Sequence, residues 1–171
     1  MKHTISVLVE NKFGVLARIA GLFSARGFNI DSLAVGPTED ASVSRMTIVS
    51  EGDEKTLEQI KKQLNKLIDV IKVVDFKEGE FVDRELVLIR VAVSPKNRKE
   101  VLEAVDASGA KVANVGSKSV AVEAAGDQDS VRSLLELLRP FGILEVVRTG
   151  RIAMGIEDRM VKAGGKPEVN E

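Results

Sequence analysis

The sequence predicts an α+β protein built from two tandem β-α-β-β-α-β units, each a four-stranded antiparallel sheet with two helices on one face. Three observations carry that prediction. Apolar residues switch between a period of two and a helical period in that order. The order occurs twice within 171 residues. Core and cap positions of the first pass return in the second at one offset before the second hairpin and another after it.

The elements follow in turn. In "HTISVLVE", Ile5, Val7 and Val9 share one side and Thr4, Ser6 and Leu8 the other, as in a half-buried strand. Leu16, Ile19, Ala20 and Phe23 recur at helical spacing, and Gly27 is a natural stop. "FNIDSLAV" and "SRMTIVS" read as two strands joined by the turn-rich "GPTEDA". Gly52-Asp53 caps a helix with Leu57, Ile60, Leu64 and Leu67 on its face, and "DVIKVVDF" closes the unit. The charged stretch "KEGEFVDRE" reads as a connector.

The second pass repeats the first. Ile5, Val7 and Val9 return as Val87, Ile89 and Val91, Ile19 and Phe23 as Val101 and Val105, and Gly27 as Gly109, an offset of 82. Beyond the second hairpin, where the tight "GSKS" replaces "GPTEDASVS", the offset becomes 74. There Gly52-Asp53 matches Gly126-Asp127. Leu57, Ile60 and Leu64 match Val131, Leu134 and Leu138, and Val70 and Val73 match Leu144 and Val147. The expected boundaries are a first domain at 1–78, a linker at 79–84, a second domain at 85–161 and a disordered tail at 162–171. Units this small gain from association.

Composition narrows function. There is no Cys, Trp or Tyr, and the single His is His3, so thiolate nucleophiles, CxxC metal sites and imidazole-based triads are excluded. A net charge of −1 offers no pull toward nucleic acid or anionic membrane. RNA-recognition domains share this element order but stack bases on sheet aromatics, and "SRMTIVS" has none. An acylphosphatase-like role for Arg18 and Asn29 lacks a phosphate-cradling Gly-rich loop. The acids Glu39-Asp40 and Asp127/Asp129 fit turn and helix-start positions, so no metal site is expected. No apolar run approaches a membrane span and no signal peptide is visible, which points to the cytoplasm.

One junction departs from the repeat. "ENKFGVLARI" carries Asn11 and Gly14 between the first strand and helix, and at the offset of 82 these become Val93 and Lys96. The shared core therefore does not require them. The first N–H groups of a helix lack intrahelical partners and lie at the positive end of its dipole. Gly14 removes a Cβ that would block a ligand, leaving the N–H groups of Val15 and Leu16 as candidate donors to a carboxylate. Asn11 and Asn29 add small amides. The plainer reading is that Asn11 caps the helix and Gly14 makes a turn. Ala17, Gly21, Ser24 and Ala25 are expected on the helix face opposite Leu16, Ile19 and Phe23, where small side chains permit close approach by a second copy. Leu8 and Val49 on the sheet's other face also suggest self-association.

The segments "GLFSARGFNIDSL" and "SRMTIVSEGDEKTLEQIKKQL", with "DRELVLIRVAV" and "GRIAMGIED", closely resemble the small regulatory subunit of acetolactate synthase (acetohydroxyacid synthase), an ACT-domain family. The resemblance implies two ferredoxin-like units. It implies ACT domains paired as a homodimer, and a branched-chain amino acid, valine first and then leucine or isoleucine, bound between them. Asn11, Gly14, Val15 and Leu16 match the family's effector loop, while Asn29 and Ile30 match the contact from the neighbouring subunit. The implied partner is the large catalytic subunit, which carries thiamine diphosphate, Mg2+ and FAD. This chain would raise that subunit's activity, confer feedback inhibition and hold no cofactor itself. A sensor of this type serving a different enzyme is the alternative.

Overall fold

The computed structural model describes residues 1–156, so the expected tail at 162–171 lies outside the described residues. The chain divides into two compact units, Met1–Val82 with the described residues from Ala153 onward, and Asp83–Ile152.

In the first unit the elements are β1 (Lys2–Glu10), α1 (Val15–Ala25), β2 (Ser32–Pro37), β3 (Val43–Glu51), α2 (Glu54–Leu64) and β4 (Val70–Phe76). The antiparallel sheet runs β2-β3-β1-β4. Ile5, Val7 and Val9 of β1 meet Met46 and Ile48 of β3 beneath Ile19, Phe23, Leu57, Ile60 and Leu64 of the helices. The period-two and period-3.6 patterns thus converge on one core. α1 is entered through Gly14 at φ +81° and left through Gly27 at φ +69°, left-handed values that glycine adopts without a Cβ clash. Asp53 starts α2 by accepting the Thr56 N–H at 2.7 Å.

Two expectations in this unit are corrected. The inward face of α1 begins at Val15, not Leu16, which is 44% exposed. The turn at Gly14 sets the helix phase, and Val15, Ile19 and Phe23 at i, i+4, i+8 then fill the core. The second strand starts at Ser32, because Phe28 folds back to donate its N–H to Phe23 O and packs edge-on against the Phe23 ring.

The second unit repeats the order as β5 (Phe81–Ala92), α3 (Arg98–Ala107), β6 (Lys111–Val115), β7 (Ser119–Gly126), α4 (Gln128–Leu138), a 3₁₀ turn (Arg139–Phe141) and β8 (Ile143–Arg148). The order is β6-β7-β5-β8, and a short β9 (Ile152–Gly155), not foreseen from sequence, also pairs with β5. Val87, Ile89, Val91, Val101, Val105, Val131, Leu134 and Leu138 form the core, as the repeat predicts. The repeat extends to irregularities: pairing with the last strand slips between Leu8 and Val9, and again between Arg90 and Val91, 82 residues on.

Two further readings change here. Phe81–Arg84, expected in a linker, already belong to β5. Val70 and Val73 correspond to Ile143 and Val146, not to Leu144 and Val147, because their partners on the central strands are Val9 and Val7, and Val91 and Ile89. The loop before β8 (residues 139–142) is one residue shorter than that before β4 (residues 65–69), and a slip of one reverses every side chain.

The sheet faces away from the helices also differ. Thr4, Ser6, Leu8, Thr47 and Val49 of the first sheet are buried within the chain, so Leu8 and Val49 do not form the open associating face expected from sequence. In the second sheet, Leu86, Leu88 and Val147 stand exposed on that side. No helix among the described residues is long and apolar enough to cross a membrane.

Candidate functional site at the start of the first helix

β1 ends in a loop that is tied down on two sides. Asn11 donates its backbone N–H to Ser42 O at 2.7 Å and its side-chain Nδ2 to Ala41 O at 2.9 Å, fixing the loop to the β2–β3 turn. Glu10 donates its N–H to Asp69 O at 2.9 Å, fixing it to the α2–β4 turn. Asn11 therefore does not cap α1, and no side chain does. Its Oδ1 remains available as an acceptor.

With the cap position held by Gly14, the first-turn amides of α1 stay open. The Val15 N–H reaches Lys12 O only at 3.4 Å, and Arg18 returns to Gly14 O at 2.9 Å. Among the described residues, Leu16 and Ala17 N–H groups make no hydrogen bond. The expected donors shift by one residue: Leu16 and Ala17 offer the free amides, while Val15 has a weak internal acceptor and a buried side chain. From sequence, Ala17 is expected only at the interface. Phe13 and Ile68 stand fully exposed in the two loops that meet here, and Leu16 is half-exposed beside them.

A second polar feature at this junction is not visible in the sequence. Arg18, one turn into α1, donates Nε to Asp69 Oδ2 at 2.8 Å, and its Nη2 lies 2.7 Å from the same oxygen. Helical side chains lean toward the N-terminus, so the guanidinium lies back over Gly14. A Cβ on Gly14 would stand 3.2 Å from Nη1.

Asn29 and Ile30 are not part of this cluster. They follow the C-terminal end of α1, which at 1.5 Å per residue is about 16 Å from its start. Asn29 Nδ2 donates to Asp31 Oδ1 at 2.6 Å, and its carbonyl accepts from Ser50 Oγ at 2.6 Å. Ile30 is half-buried against the core. One chain thus holds the two expected halves of the site at opposite ends of one helix. Ala17, Gly21, Ser24 and Ala25 are all exposed on the stretch between them.

The other sequence candidates take structural roles. His3 is buried with Nε2 3.1 Å from Gly52 O. Asp40 accepts from Ser42 Oγ at 2.6 Å and Ser42 N–H at 2.9 Å, and these bonds, the hydroxyl first, hold its carboxyl below the ordinary range. Asp127 caps α4 by accepting the Ser130 N–H at 2.8 Å. Among the described residues, no group of three or more acidic or histidine side chains converges as a metal site.

The fold and junction define an ACT-type protein, a βαββαβ unit with an open strand-to-helix turn, followed by a second βαββαβ unit without that turn. Residues 5–72 match the family described as AHAS small subunit-like ACT domain, and residues 84–157 match the small subunit of acetolactate synthase. The chain is 54% identical over 154 residues to a probable acetolactate synthase small subunit of Archaeoglobus fulgidus, covering 90% of this chain and 96% of that one. It is 49% identical over 161 residues to the acetolactate synthase small subunit of Mycolicibacterium smegmatis, covering 94% and 95%. The crystal structure of the small subunit from Thermotoga maritima superposes with a TM-score of 0.83 at 37% identity, covering 91% of this chain and 97% of that one. The chain belongs to the acetolactate synthase small-subunit family.

Proposed function

We propose that this chain is the regulatory subunit of acetolactate synthase: it binds the large catalytic subunit, raises its activity and transmits feedback inhibition by a branched-chain amino acid, valine first. The chemistry, with thiamine diphosphate, Mg2+ and FAD, belongs to the large subunit. The observation that carries the sensing role is the pair of free amides, Leu16 and Ala17, exposed behind a left-handed Gly14 with no cap. An amino acid's carboxylate satisfies such donors at the positive end of a helix. Asn11 Oδ1 supplies an acceptor for its ammonium, and half-exposed Leu16 an apolar contact.

The far half of the pocket comes from a second protomer. Two chains paired antiparallel along the small-residue stripe of α1 bring Asn29 and Ile30 of one to the Gly14 loop of the other. A ligand held between two chains regulates if it favours one arrangement over another, and a difference of ~1–3 kcal/mol is enough.

The test is reconstitution with the large subunit and measurement of activity across a valine titration. Gly14→Asp places a carboxylate where the ligand's own would lie, in a backbone conformation that resists any side chain. We expect a loss of valine sensitivity of about a hundredfold or more, with activation of the large subunit retained. Full valine inhibition of the reconstituted variant would overturn the reading.

A further inference from the structure

We propose that Arg18 is a specificity-determining residue of this effector site, its Nη1 donating to the ligand's carboxylate while Asp69 holds the guanidinium in place. The inference rests on the reading of the α1 start as the carboxylate site and adds to it a charged donor.

Three features support it. The guanidinium is half committed: Nε and Nη2 both meet Asp69 Oδ2, whereas Nη1 makes no hydrogen bond among the described residues. That free edge faces Gly14, where the missing side chain leaves room, with Nη1 only 3.2 Å from the Cβ position. The donor therefore borders the same space as the Leu16 and Ala17 amides. Asp69 is itself fixed, being largely buried with its backbone carbonyl accepting from Glu10 N–H, so it anchors the fork from below.

Electrostatics points the same way. A cation beside a helix N-terminus opposes the helix dipole and is tolerated here because Asp69 balances it. The balanced pair gains when a further anion arrives, since the carboxylate then meets a charge-assisted donor together with two neutral amides. The second unit is built otherwise. At the offset of 82 the Arg18 position is Glu100, and the nearby Arg98 spends its Nη2 on the carbonyls of Gly116 and Ser117.

Calorimetric titration of the full chain with L-valine and with L-valinamide, which lacks the carboxylate, separates the roles. In Arg18→Ala we expect valine affinity to fall about tenfold or more and valinamide affinity to stay within about twofold, with Arg18→Lys recovering part of the loss. A purely structural tie between α1 and the α2–β4 turn predicts equal weakening of both ligands, and that result, or unchanged valine binding, overturns the proposal. Arg18→Gln, which keeps the length and packing of the stem, replaces Arg18→Ala if the latter unfolds by circular dichroism. Gly14→Asp run in parallel tests the underlying reading: wild-type-like valine binding by that variant removes the site itself, whereas its loss beside an unaffected Arg18→Ala removes only the role of Arg18. A wild-type chain that binds neither ligand overturns both.

Discussion

The two strand-to-helix junctions of this chain have matching cores beneath them and different side chains around the helix start. At the second, Asn97 Oδ1 accepts the Ser94 N–H at 2.7 Å and its hydroxyl at 3.0 Å, and Arg98 returns its N–H to Ser94 O. The turn closes on itself. At the first, Gly14 holds the cap position in the left-handed conformation and Asn11 turns away to the β2–β3 loop. Both helices leave two first-turn amides without acceptors among the described residues, Leu16 and Ala17 in α1 and Lys99 and Glu100 in α3, but only α1 presents them behind a bare glycine. A duplicated scaffold thus shows which features serve folding, because both copies keep them, and which belong to one copy's own task. The sheet faces make the same point, since only the second sheet leaves Leu86, Leu88 and Val147 exposed on the side away from its helices.

The largest expected effect tests that contrast of faces. Leu8→Ala removes a side chain only 2% exposed and is expected to destabilise the first unit by about 2–4 kcal/mol. Leu88→Ala, at 41% exposure, is expected to change the second unit by less than about 1 kcal/mol. Denaturant unfolding followed by amide exchange in each unit measures both, and equal losses would erase the distinction.

The junction contrast is sharpened by mixing. If each pocket joins the Gly14 loop of one protomer to Asn29 of the other, a dimer of one Gly14→Asp chain and one Asn29→Ala chain has both defects in one pocket and none in the other. Valine binding by the mixture is then expected to recover toward half the wild-type stoichiometry, although each variant alone binds weakly. Failure to recover in dimers shown by mass spectrometry to be mixed would place the whole pocket within one chain.

The smallest effect concerns a feature the two units share. Hydrogen bonds from Thr56, hydroxyl before N–H, hold the Asp53 carboxyl below its ordinary value, and those from Ser130, N–H before hydroxyl, do the same for Asp127. A depressed carboxyl contributes stability that is present above its unfolded-state value and lost as pH falls through the folded one. Asp53→Asn and Asp127→Asn are each expected to lower Tm by no more than a few degrees near neutral pH, and to differ less from wild type as the solution is acidified below the carboxylate range. Thermal scans across pH check the sign.

Most of the core was legible because burial imposes a period on the sequence, and the duplication supplied an internal check: Ile5, Val7, Val9, Val87, Ile89 and Val91 all lie where alternation puts them. What failed depended on phase. Leu16 and Val15 are adjacent apolar residues, and only the left-handed turn at Gly14 decides which faces inward. The match of Leu144 and Val147 failed because a loop one residue shorter preserves composition while reversing faces. The start of β5 was hidden by charges at Asp83, Arg84 and Glu85 within a strand that pairs nonetheless. At the site, Asn11 and Gly14 announced themselves by breaking the repeat. The Arg18–Asp69 pair did not, because its members are 51 residues apart and nothing local marks them as partners.

The loop from Asn11 to Gly14 is fastened by Asn11 to the β2–β3 turn, and the residues on either side of it, Glu10 and Arg18, are tied to Asp69 of the α2–β4 turn, an anchoring with a further consequence. A cradle so firmly moored has little slack to take up when a guest arrives, so the entropic toll of capture is small and the local shape hardly alters. On the proposed reading, the signal then travels as a change in how tightly two rigid bodies cling to each other, and not as a ripple through either one.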